Sequence, residues 1–167
     1  STLLYVPGRV DQAIPYDVAY ERALEALRLT APRAQELGVY ICLENVGNRF
    51  LQSPLEMRDF ILAAGSEYVR AYFDVGNVLH LNLGWPEQWL RILAPMLRQV
   101  HLKDVKSSPR GQAGVMLLQG DLNWPAVMAE LRGMGYSGYL VAEVGSYAHF
   151  PDRTPFDIAA AMDALIG

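Results

Sequence analysis

The sequence predicts an α/β protein built on a parallel sheet, and three observations carry that prediction. Five short apolar runs rich in β-branched and aromatic residues, at 3–6, 39–43, 69–73, 99–102 and 139–142, read as strands. Segments with helical periodicity and recognisable start and stop signals separate them. The strands also recur roughly every 30 to 40 residues, close to one eighth of a (β/α)8 barrel of about 250 residues. A doubly wound sheet has the same alternation, so the period by itself leaves both architectures open.

The helical segments follow from local chemistry. The long segment from about residue 16 to 37 carries Pro32, which is expected to kink or divide it, and Gly38 stops it before the next strand. In SPLEM, Ser53 is placed to cap, Pro54 suits the first helical position, and Glu56 sits where a capping box closes. Thr154, Pro155 and Asp157 repeat that pattern near the C-terminus. Pro86 and Pro125 mark further helix openings, and Gly135 marks a stop.

Composition narrows the classes. The chain has 167 residues, 51% hydrophobic and 19% charged, with a net charge of -4. This is a globular profile, and residues 1–167 are expected to form a single domain, with no linker or low-complexity tract. The acidic balance argues against nucleic acid, which requires a clustered basic face. No apolar run reaches the roughly 18 residues of a spanning helix, so no membrane role is expected. Cys42 is the only cysteine and reads as a small core residue; a reducing, cytoplasmic location is the simpler expectation. The chain starts without Met, almost directly on an apolar run, as if inside a larger fold.

Polar residues at strand ends point to chemistry. Glu44, Asp74, His101 and Glu143 each close or follow a successive apolar run, in CLEN, YFDVGN, VHLKD and VAEVG. In a parallel barrel those ends converge on one mouth, where barrel enzymes do their work. Three carboxylates there would repel one another and lose hydration. A divalent cation resolves the conflict by accepting carboxylate and imidazole ligands together. Any one of these acids alone reads as a solvated loop residue; their repetition on consecutive units reads as a site.

With those motifs in view, LENVGNRFLQSPLEMRDFI, YFDVGNVL, VHLKDVK and QGDLNWPAVMAELRGMGYSGYLVAEV resemble the sugar phosphate isomerase/epimerase family of the xylose isomerase-like TIM barrels, of tagatose 3-epimerase and ribulose-phosphate 3-epimerase type. The resemblance covers nearly the whole chain and is most specific in the order Glu, Asp, His, Glu. It implies a (β/α)8 barrel of which the last five βα units are present, an incomplete barrel forming the C-terminal part of the family fold. It further implies that Glu44, Asp74, His101 and Glu143 hold one divalent metal ion, manganese, cobalt, magnesium or zinc, and that Glu44 and Glu143 are the acid/base pair. The implied activity is isomerisation or epimerisation of a ketose or sugar phosphate through an enediolate. Two alternatives accompany it: a sugar or inosose dehydratase, and a non-catalytic metal-binding half-barrel or assembly module.

Residues beside the cluster are candidate substrate contacts. Asn77 stands where several epimerases of the superfamily carry a substrate-contacting histidine, and Gln119 stands where a glutamate is common. Asn45 either orients substrate or Glu44, or caps the following turn. Lys103 and Asp104 read as an ion pair beside the metal or as a solvated strand exit. Arg110, with Lys106 in the loop KSSPRG, could meet a phosphate or lie at the surface. His80 and His149 read as surface or packing residues, and Trp85, Trp89 and Trp124 as helix packing. Five strands cannot close such a barrel. The first and last runs are therefore expected to be open edges, in a truncated chain or one that associates with another copy.

Overall fold

The computed structural model describes residues 1–109 and 111–167. In chain order the elements are β1 (Thr2–Tyr5), α1 (Tyr16–Glu36), β2 (Tyr40–Glu44), α2 (Pro54–Ala63), β3 (Val69–Asp74), α3 (Val75–His80), α4 (Pro86–Leu93), β4 (Leu97–Leu102), β5 (Asp104–Ser108), β6 (Gly111–Val115), α5 (Trp124–Gly133), β7 (Leu140–Ala142) and α6 (Thr154–Ile166). The main sheet has five strands in the order β1-β2-β3-β4-β7, and β5 and β6 form a separate pair. β1 runs parallel to β2, β2 to β3, and β4 to β7. This order follows the chain without reversing. A doubly wound sheet reverses at a switch point, so the succession is that of a (β/α)8 barrel, here with five of its eight strands.

The chain divides into two compact units, Ser1–Phe73 with Ile92–Gln99, and Asp74–Arg91 with Val100–Gly167. In the first, β2 is buried from Ile41 to Glu44 and β3 from Ala71 onward, which suits a parallel sheet covered on both faces. Cys42 is fully buried there, and burial pushes its thiol up to about 12, as expected of a core residue. On α1 the buried positions Ala19, Ala23, Leu27, Ala31 and Ala34 make one stripe. Pro32 does not divide this helix. It sits on the exposed side, and the buried stripe continues past it, so packing outweighs the one backbone bond that proline removes. Tyr16, Tyr20, Phe50 and Phe60 form an aromatic cluster with ring centroids 4.9 to 6.1 Å apart. Ser53 caps α2, its hydroxyl accepting from the Glu56 amide at 3.1 Å. The Glu56 carboxylate meanwhile accepts from the Tyr16 hydroxyl.

In the second unit, Asn123 caps α5 by accepting from the Ala126 amide, with Pro125 in the first turn. Trp89 and Trp124 are buried, whereas Trp85 is 59% exposed and packs no helix core. The capping expected of Thr154 is absent, because its hydroxyl accepts from the Tyr147 amide at 3.0 Å and so holds the preceding loop. The segment read as a loop around KSSPRG is the antiparallel hairpin β5–β6. Arg110, in that segment, lies outside the described residues. Among the described residues no helix is long and apolar enough to cross a membrane.

Candidate metal centre

Glu44 and Asn45 belong to the first unit, at the end of β2, and both are buried. Asp74, Asn77, His101, Lys103 and Glu143 come together in the second. Asp74 ends β3 and opens α3, with no solvent exposure. Its Oδ1 accepts the Asn77 amide at 2.8 Å, capping the helix, and its Oδ2 lies 3.4 Å from Lys103 Nζ. Lys103 Nζ also lies 3.0 Å from Glu143 Oε2 and donates to Asn77 Oδ1 at 3.2 Å. His101 Nδ1 is 3.5 Å from the same Glu143 oxygen. Asp74, His101 and Glu143 each offer one ligand atom within 4.8 Å of the others.

The electrostatics are those of a crowded acidic pocket. Burial raises the Asp74 carboxyl to about 7, helped by its hydrogen bond with Glu143 and opposed by Lys103. Burial also acts to raise Glu143, but hydrogen bonds from Asp74 and Lys103 prevail and hold it below the ordinary carboxylate range. For Lys103, burial acts downward, and the charge of Asp74 together with Glu143 outweighs it and raises the ammonium. The Lys103 ammonium, 3.4 Å from Asp74 and 3.0 Å from Glu143, supplies positive charge to this group. The donors, carboxylates with an imidazole, fit a hard or borderline divalent cation.

Two further residues, Gly76 and Asp104, support this group. Gly76 lies inside α3, and a Cβ there would stand 2.5 Å from the Lys103 carbonyl oxygen, so the glycine permits the close approach of the two segments. Asp104 does not pair with Lys103 and is not solvated. It is fully buried and accepts from the amides of Val105 and Gly120 at 2.9 Å, from the Leu122 amide at 3.4 Å, and from Trp124 Nε1 at 2.9 Å. The Lys-Asp pair in HLKD therefore divides its work: one side chain enters the acidic pocket and the other holds the GDLNW segment. His80 and His149 are exposed, as expected.

Solved structures with this fold are numerous. A xylose isomerase domain protein from Planctomyces limnophilus is 23% identical, with a TM-score of 0.77 over 99% of this chain and 57% of that one. D-psicose 3-epimerase, crystallised in the presence of D-fructose, is 17% identical with a TM-score of 0.78, over 98% of this chain and 62% of that one. The IOLI protein with a bound zinc atom is 17% identical with a TM-score of 0.83, over 99% of this chain and 62% of that one. The chain thus spans about three fifths of the length of these structures, and at such identities the likeness speaks to fold. No curated protein matches the chain significantly. The sequence profile described as xylose isomerase-like TIM barrel matches residues 1–165, and the chain belongs to that family.

Proposed function

We propose that the protein is a metal-dependent isomerase or epimerase of a ketose or sugar phosphate, with Glu44, Asp74, His101 and Glu143 holding one divalent cation. The observation that carries this reading is the clustering of Asp74, His101 and Glu143, with the Lys103 ammonium between the two carboxylates. Manganese, cobalt, magnesium and zinc all suit such donors. When bound, the cation would supply electrostatic stabilisation of the negative charge that develops on the enediolate oxygens.

The chain's own residues divide the proton work. Glu143 is about half exposed and held ionised at neutral pH, so it can accept the proton from the carbon beside the carbonyl. The C–H electron pair moves into the new C=C bond and the carbonyl pair onto oxygen. Glu44 is the second member of the acid/base pair and delivers a proton from solvent to the carbon, which is thereby inverted. Asp74 and His101 serve chiefly as ligands. Asn77 holds Lys103, whose ammonium can donate to a substrate oxygen. Arg110 and Asn45 are proposed as further substrate contacts. The sheet ends at β1 and β7 are proposed to associate with another copy.

Manganese-loaded protein incubated with a panel of ketoses in deuterated water should exchange the carbon-bound proton, and Glu143→Gln should abolish the exchange. Near-normal exchange in Glu143→Gln would overturn the assignment of the base. Metal binding without exchange by the unaltered chain on any ketose would reduce the protein to a metal-binding module.

A further inference from the structure

We propose that the first unit carries an oxyanion subsite between the loops that follow β1 and β2, with Arg9 and Arg49 as its anion-binding groups. These loops line a cavity of about 580 Å³ that includes Arg9, Val10, Asp11, Gly47, Asn48 and Arg49. The inference rests on the reading of Glu44 as part of a sugar site and deepens it: the substrate would be an anionic sugar bearing a phosphate or a carboxylate. Glu44 ends β2 only two residues before Val46, which also lines the cavity, so the cavity opens at the strand end that presents Glu44.

The cavity has a built floor. Asn48 Nδ2 donates to the carbonyls of Pro7 at 2.5 Å and Gly8 at 2.7 Å, while its own carbonyl accepts the Val10 amide at 3.1 Å. Its Oδ1 accepts the Phe50 amide at 3.2 Å. One residue therefore ties the two loops together, its side chain holding Pro7 and Gly8 and its backbone carbonyl holding Val10. Arg49 follows it at φ 62, in the left-handed region that an L side chain rarely adopts. A backbone held there by the Asn48 links aims the next side chain, and the residue so aimed is a guanidinium. Arg9 reaches the same cavity from the other loop.

The charge balance favours an anion. Asp11 is the acidic residue of the lining, and its Oδ1 accepts from the amides of Ala13 and Ile14 at 2.9 and 3.0 Å. Its Oδ2 lies 3.7 Å from Arg9 Nε, a loose contact with the Arg9 side chain 77% exposed. Two guanidiniums against one partly engaged carboxylate leave a net positive lining. A planar fork of N–H donors suits phosphate and carboxylate oxygens alike.

The test uses the whole chain and inorganic phosphate as probe, by calorimetric titration at constant ionic strength, with Mn²⁺ titrated separately. Phosphate should bind saturably, chloride should not compete at matched ionic strength, and Arg9→Gln and Arg49→Asn should each weaken binding about tenfold. Asparagine tolerates the left-handed backbone, and Arg9 is largely exposed, so both variants keep the fold. Asp11→Asn should tighten phosphate severalfold while keeping the turn. Acetate measured in parallel separates the sources: equal binding of acetate assigns the subsite to a sugar acid, and preference for phosphate assigns it to a sugar phosphate. Equal phosphate binding by wild type and both arginine variants, or full competition by chloride, overturns the subsite. Loss of phosphate binding with Mn²⁺ binding intact would remove the subsite alone; Mn²⁺ failing to bind while phosphate binding depends on both arginines would remove the metal reading and leave the anion site standing.

Discussion

At Asp74 one carboxylate oxygen caps a helix and the other faces an ammonium. The capping bond fixes the side chain, so the second oxygen is held in place before any cation arrives, which is how ligand geometry is preorganised. The same burial gives a pH signature. The folded-state value of about 7 lies above the ordinary 3.8, so the folded protein keeps a proton that the unfolded chain releases. In chelator, the stability contributed by Asp74 is therefore greatest below about pH 4 and falls as the pH rises toward 7. Glu143, held low, acts in the opposite sense, but its window lies below its ordinary 4.5 and does not mask the trend. A metal must displace the Asp74 proton, so Mn²⁺ affinity should rise up to about tenfold per pH unit between roughly pH 5 and 7 and level off above. Calorimetric titrations in buffers of different ionisation enthalpy should show about one proton released at pH 6. An affinity flat across that range, with no proton release, would show that Asp74 is already ionised before the metal binds.

Among the elements, Asp104 and the GDLNW segment form the support that most directly keeps Lys103 in place. Asp104 anchors Gly120 and Trp124 from a position next to Lys103, and a Cβ at Gly120 would fall 1.9 Å from Asp104 Oδ1. Gly120→Ala should therefore destabilise the protein by about 1 to 3 kcal/mol. Asp104→Ala, which takes the acceptor away from four N–H groups, should cost about 3 kcal/mol or more. Urea melts check both, and a loss under about 0.5 kcal/mol for either would show that the anchor is dispensable. This support was not legible in the sequence, because its bonds join positions 16 to 20 residues apart and a local reading saw only a Lys-Asp pair at a strand exit. The hairpin β5–β6 escaped for a different reason: KSSPRG lacks the β-branched and aromatic residues that announce strands. Helix α3, six residues long, is too short for periodicity to register. The five main strands were legible because a buried parallel sheet leaves nearly continuous apolar runs. Asp74 and His101 were legible because a polar residue at the end of such a run is out of place. Barrel and doubly wound topologies separated only when the strand order was known, since both write the same alternation into the chain.

At the scale of the whole molecule, the strand order leaves β1 and β7 at the two ends of the sheet. Each presents apolar residues: Leu3 is 56% exposed on β1, and Tyr139, just before β7, is 80% exposed. Terminal strands of this kind offer unpaired backbone groups to any second strand, and natural proteins usually blunt them with charge, proline or a bulge. β1, with the sequence TLLY, has none of these devices. Association through such an edge buries both the hydrogen-bonding row and the exposed leucines, so the proposed assembly should be visible by light scattering as a mass above the 18.6 kDa of one chain. Leu3→Lys places a charge on the β1 edge and should shift the distribution toward 18.6 kDa. Because Leu3 is already more than half exposed, the substitution should change stability by less than about 1 kcal/mol, so loss of mass would report lost pairing rather than unfolding. A wild-type chain that runs as an 18.6 kDa monomer across the micromolar range would refute edge association. A Leu3→Lys variant that keeps the full assembled mass would move the contact away from β1.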